Sequence, residues 1–169
     1  MALKLAVDTD CEKLAQMLIE ASARCRAELG ACSDEAVTWQ PFRMGHSIGG
    51  IFMHLTATEL ECLHALGGRA MTKAEKALLI PEDSKVAEGR WPSPLSWPLA
   101  QYHELQDSVR GELVQRILHI GDADKAFEWQ GRNQSLREIV SGLIHQESYR
   151  TGQMALHKLH HGWNGSEPL

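Results

Sequence analysis

The sequence predicts an all-α fold, a four-helix bundle with a long crossover between the second and third helices. Four long stretches repeat apolar residues at i, i+3 and i+4, the spacing of helices that bury one face. Glycines, prolines and capping residues fall at or near the ends of those stretches. No strand-like alternation of useful length and no internal repeat interrupts them. At 169 residues the chain can bury a core without disulfide or metal staples, so residues 1–169 are expected to form one domain.

The first helix covers residues 10–29, with Leu14, Met17, Leu18, Ala21 and Cys25 on its apolar face and Gly30 as its C-cap. Pro41 and Gly45 suit no helix interior, so residues 38–46 read as a connection. Ser47 caps the second helix, residues 47–66, whose apolar side is marked by Ile48, Ile51, Leu55 and Cys62. Gly49 and Gly50 weaken its first turn, which predicts another element packed closely there. Residues 69–95 form the crossover. A bare loop of that length is unusual, so partial order is expected, with a short helix over 72–79. The third helix covers 96–120, with Pro98 in its first turn and Gly121 at its end. Residues 127–134 then lead to Ser135 and Glu138, a capping box that opens the fourth helix, which runs to residue 161.

Composition removes several function classes. The net charge of -5, with no basic run, argues against a nucleic-acid-binding surface. No stretch reaches the roughly 20 apolar residues of a membrane span. The N-terminus lacks a long apolar core and carries Asp8, Asp10 and Glu12, so no membrane association and a cytoplasmic location are expected. Cys11, Cys25, Cys32 and Cys62 show neither CxxC nor zinc-type spacing with histidine, and free thiols are the expected state.

Chemistry concentrates in two helices. His54 lies in the second, five residues before Glu59. It reads either as a ligand or acid–base group facing the core, or as a core histidine satisfied by a neighbouring carboxylate or carbonyl. In the fourth, Ile139, Leu143, Gln146 and Arg150 follow helical spacing, which turns an amide and a guanidinium inward. Buried polar groups are costly without partners. Arg150 reads equally as an anchor for an anionic ligand and as half of an internal ion pair with Glu59 or Glu147.

His157 and His161 share a face near the end of that helix, where they complement its dipole. His46, His64, His103, His119 and His160 show no convergent spacing and read as surface or rim residues. Trp39, Trp91, Trp97, Trp129 and Trp163 fall in connections or at helix ends, where they line a cavity mouth or plug the ends of the bundle. No GxSxG, P-loop, GxGxxG or HExxH motif is present.

The segments SIGGIFMHLTATE (47–59), SLREIV (135–140) and HQESYRTGQ (145–153) together resemble the DinB/YfiT-like family. The resemblance implies a four-helix bundle over nearly the whole chain, in a family many of whose members are assigned as metal-dependent enzymes. Related members are thiol-dependent S-transferases and isomerases. In the family, one histidine of the second helix and two of a fourth-helix motif close to H-E-x-H-H-R-G-Q hold a divalent metal in an open cavity. His54 falls on the second-helix ligand and Glu59 on the acidic residue after it. Glu147, Gly152 and Gln153 fall on the motif's Glu and Gly-Gln, which puts Gln146 and Arg150 at the two remaining ligand positions.

A guanidinium has no lone pair to give a metal, and an amide oxygen matches zinc or nickel poorly. No metal cofactor is therefore expected, and Arg150 supplies positive charge where a dication would sit. A zinc or nickel site stays open if the register shifts by one, so that His145 and Tyr149 join His54. Such a shift turns the helix by about 100° and loses the Gly-Gln match. Three functions follow. His54, Glu59, Gln146 and Arg150 line a pocket for a small anionic ligand; or an altered metal site serves an S-transferase or hydrolase; or an Arg150 ion pair closes the cavity of a non-catalytic protein. A homodimer is expected, because such bundles often pair helix faces.

Overall fold

Capping chemistry sets the element boundaries. The computed structural model describes residues 9–43, 45–82 and 84–165, with side chains to residue 162. Helix α1 (Asp10–Leu29) opens on a capping box between Thr9 and Glu12 and closes at Gly30, whose φ is 51°. After the short α2 (Asp34–Thr38), capped by Ser33, the Ser47 hydroxyl accepts from Gly50 N–H and starts α3 (Ile48–Ala65). A second capping box, Thr72 with Glu75, starts α4 (Lys73–Leu79). A 3₁₀ turn at Val86–Glu88 precedes α5 (Leu99–Ile120), which ends at Gly121 in the left-handed region. Strands β1 (Ala126–Trp129) and β2 (Arg132–Ser135) form an antiparallel hairpin. In α6 (Leu136–Gly165) the expected capping box is made: Ser135 N–H donates to Glu138 at 2.7 Å, and Glu138 N–H donates back to the Ser135 hydroxyl.

The described residues are thus mostly helical, as the periodicity predicts. α1 packs on α5 and α6, and α3 packs on α5 and α6, around a core that includes Leu18, Phe52, Leu60, Leu113 and Met154. Cys11, Cys25 and Cys62 are buried free thiols, and Cys32 is a half-buried one. No helix among the described residues is long and apolar enough to cross a membrane. Residues 1–8, read above for a targeting segment, lie outside the described residues, as does the Trp163 side chain.

Five details differ from the sequence reading. The β1–β2 hairpin replaces an expected irregular connection and carries Trp129 on a strand. Its Gln130-Gly131 turn has φ of 50° and 73°, the positive pair a two-residue hairpin needs, and four-residue strands are too short for alternation to show. Helix α2 interrupts the first connection. Pro98 is the N-cap of α5 rather than part of its first turn, and α6 runs on past residue 161. Met17 is half exposed instead of core-facing.

The close approach expected at Gly49 and Gly50 is present, and it positions the crossover. A Cβ on Gly49 would lie 2.5 Å from the Tyr102 hydroxyl, and one on Gly50 would lie 3.1 Å from the Pro92 carbonyl. The Tyr102 hydroxyl in turn accepts from Leu95 N–H at 2.8 Å and donates to Leu95 C=O at 2.9 Å. With Pro92 held against the first turn of α3, the adjacent Trp91 is buried beside that helix.

Candidate functional site

Trp91 is the centre of a polar cluster built from α3, α6 and the two connections. On α6, Gln146, Arg150, Gln153 and His157 recur at i, i+4, i+7 and i+11, one continuous stripe. Gln146 meets α3 first: its side-chain nitrogen lies 3.1 Å from His54 Nε2 and donates to that imidazole nitrogen. One turn on, the Arg150 guanidinium lies over the Trp91 ring, 4.7 Å from its centre, and 5.4 Å from the centre of Tyr149. Its Nη1 donates to Gln153 Oε1 at 2.7 Å. Its Nε is buried without a partner, and no carboxylate among the described residues is placed to pair with it.

Two imidazoles meet Trp91 edge-on. The His54 ring centre is 5.4 Å from it and the His46 ring centre 5.3 Å. His46 Nδ1 also faces His157 Nε2 in a direct nitrogen–nitrogen hydrogen bond, the rings nearly perpendicular with centres 4.4 Å apart. Trp39 meets His157 edge-on, with ring centres 5.8 Å apart.

Electrostatics keep these histidines neutral at pH 7. Burial, then the Arg150 charge, pushes His54 down to about 4. Burial, then the neighbouring His46 and His160, pushes His157 down to about 4. Burial and Arg150 also lower His46.

The cluster borders two surface depressions. His54 lines one of about 390 Å³ together with Thr58, Glu61, Glu88 and Pro92. His46, Gln153 and His157 line another of about 460 Å³ together with Trp39, Pro41 and Leu156. Arg150 links the two sets of residues, since it bonds Gln153 and lies on the ring that both His54 and His46 touch.

Glu59 does not join this cluster. Five residues along a helix is a rotation of 500°, so Glu59 points about 140° away from His54. It is 2% exposed and accepts from Arg110 Nε at 2.8 Å and from Gln106 at 3.0 Å. Arg110 Nη1 donates to Glu147 at 3.0 Å, to the Ser22 hydroxyl at 2.6 Å and to the Leu18 carbonyl at 2.7 Å. One buried network therefore ties α1, α3, α5 and α6 together. Burial alone lowers the Arg110 pKa, but the charges of Glu59 and Glu147 overcome it and hold the pKa above its ordinary value. Burial pushes Glu147 above the usual carboxylate range, with the Glu59 charge adding to it against the pull of Arg110.

Of the four residues read as ligand-binding, the structure brings together His54, Gln146 and Arg150 and separates Glu59. The internal ion pair considered for Arg150 belongs instead to Arg110, which takes both carboxylates. His145 and Tyr149, the residues of the shifted register, lie exposed on α6, and it is Gln146 that meets His54. His46 and His157 are the residues the sequence reading missed. His157 sits buried in mid-helix because α6 continues beyond it, and the polar stripe of α6, followed two turns past Arg150, would have found it.

The donor set formed by His54, Gln146 and Arg150 is one imidazole, one amide and one guanidinium, which does not fit a divalent cation. No group of three His, Cys, Asp or Glu among the described residues is arranged to hold a metal ion. A scan against models of known protein families finds no match for this chain, and a search of curated proteins finds none either.

Proposed function

We propose that this chain is a DinB/YfiT-like four-helix bundle with a long crossover, in which the family's metal position has become a pocket for a small anionic ligand. Arg150 anchors the anion, with His54 and Gln146 beside it as neutral hydrogen-bonding groups. One observation carries this reading: Arg150 is a half-buried cation with no acidic partner among the described residues, while the nearby Arg110 holds two. A desolvated cation without a counter-charge is costly, and an incoming carboxylate or phosphate relieves that cost through charge-assisted hydrogen bonds. The family assignment is supported by the contact of His54 with Gln146, the pairing its metal ligands would require.

The same reading includes a cytoplasmic location, which suits four free cysteines. It also includes a homodimer, for which the exposed Met17 and Ile19 of α1 offer apolar surface away from the pocket. No reaction is assigned.

Calorimetric titration of the purified, untagged protein with acetate and with inorganic phosphate tests the pocket. Saturable binding that disappears in Arg150→Gln is expected. Absence of binding by every carboxylate tried and by phosphate would overturn the proposal. So would stoichiometric zinc or nickel in the purified protein that vanishes in His54→Ala, which would establish a metalloenzyme-type site instead.

A further inference from the structure

We infer that the ligand is a monocarboxylate with a flat apolar body, its carboxylate on Arg150 and its body in the depression walled by Trp39, Pro41 and Leu156. This rests on the anion-binding reading above and goes further by choosing the charge, the shape and the side of Arg150 on which the ligand lies.

Charge comes first. Arg150 is the one formal cation of the cluster, and His46, His54 and His157 are held neutral around it. A single positive charge balances a monoanion; a phosphate dianion would bring a second charge into a half-buried site with nothing to meet it. Geometry agrees. Arg150 Nε is buried and Nη1 already donates once to Gln153, so the Nη1–Nη2 edge is what remains for a planar, two-oxygen acceptor.

The side is decided by the carboxylates. The depression at His54 has Glu61 and Glu88 in its wall against one cation, Lys85, which is already paired with Glu88, so Glu61 is left to repel an anion. The depression at His46 and His157 has no acidic residue in its wall among the described residues, and Gln153, which lines it, holds Arg150. Shape follows from the same wall. Trp39, Pro41 and Leu156 make it apolar, and its volume of about 460 Å³ accommodates an aromatic ring. Leu156 is 65% exposed, an apolar side chain left in water at the rim. His157 Nδ1 is buried there without a hydrogen-bond partner, an unmet polar atom that a ligand in the depression can satisfy.

The test is calorimetric titration of the full chain with benzoate, acetate, inorganic phosphate and the neutral analogue benzamide. Benzoate is expected to bind at least tenfold more tightly than acetate or phosphate, and benzamide at least tenfold more weakly than benzoate. In Trp39→Ala the benzoate-to-acetate ratio should fall towards one. Leu156→Glu, at an exposed position that folding tolerates, should weaken benzoate at least tenfold. Equal affinities for acetate and benzoate, or a ratio unmoved in both variants, would overturn the inference while leaving anion binding at Arg150 standing. Benzamide binding as tightly as benzoate would overturn it too, by showing an apolar site without an anchor. Failure of every anion, acetate and phosphate included, would instead overturn the underlying reading.

Discussion

Arg110 and Arg150 occupy similar positions in the architecture, each an arginine turned inward from a long helix, yet they are treated in opposite ways. Arg110 is 6% exposed, and its guanidinium meets two carboxylates, a hydroxyl and a carbonyl. Arg150 is half-buried, rests on Trp91, and spends one bond on a neighbouring amide. A fully partnered buried charge fixes how helices meet, whereas one without a counter-charge keeps capacity for something that is not in the chain. The contrast separates a structural polar layer from the proposed binding site, although the two lie on adjacent faces of α6.

The largest test removes the structural side of the contrast. Arg110→Met strands Glu59 and Glu147 in the core with no counter-charge, and breaking a buried pair in this way costs about 3–5 kcal/mol. Urea denaturation is the measurement. A loss below about 1 kcal/mol would mean that the network is not what joins α1, α3, α5 and α6.

Next, Gln146→His combined with Arg150→His rebuilds the three-imidazole set implied by the family resemblance. The double variant is expected to take up zinc or nickel and to lose it again with His54→Ala. At metal concentrations about a hundredfold above the dissociation constant, binding to the folded state alone adds about 2.7 kcal/mol of stability. Elemental analysis and metal-dependent melting report both. A double variant that stays metal-free and unchanged in melting would remove the geometric support for that resemblance.

Much of this was legible in the sequence, for identifiable reasons. Capping boxes act locally, so Ser135 with Glu138 and the Ser47 cap could be read from a few neighbouring residues. Gly49 and Gly50 advertised a close approach because nothing else explains two poor helix formers in one turn. The inward turn of Gln146 and Arg150 followed from helical spacing alone. Partner choice did not. Glu59 and Glu147 are bound by Arg110, far from both in sequence, and only packing brings α5 against α3 and α6. His46 escaped for the same reason, since it lies in a connection and its partner His157 is brought near by the meeting of α3 with α6.

Acid separates the two layers further. The folded-state pKa of His54 and of His157, about 4, lies below the ordinary value of 6.5. Between those two values the unfolded chain binds protons that the folded chain refuses, so stability falls as pH drops from 6.5 to 4 and the loss is complete below 4. At about 1.4 kcal/mol per pKa unit the full difference would be about 3.5 kcal/mol per histidine, and partial solvent screening brings the expected loss to the order of 1–3 kcal/mol. Denaturant midpoints across this range should show it, with a shallower slope in His54→Gln. An identical slope in the variant would rule out His54 as a source.

Arg150→Gln has the smallest expected effect on stability, and that smallness is the point of the comparison. A guanidinium over an indole contributes about 0.5–2 kcal/mol. Removing it also relieves a half-buried charge and a buried Nε that has no partner, which offsets much of that contribution. The net change is expected to stay within about 1 kcal/mol. Two readings should nevertheless move. His54 should titrate at higher pH, because the Arg150 charge is part of what holds it down, and NMR titration of its ring follows this directly. The stabilisation of the wild-type protein by added benzoate should vanish. A variant that melts several degrees lower but still gains stability from benzoate would put Arg150 in the same class as Arg110, a strut rather than an anchor.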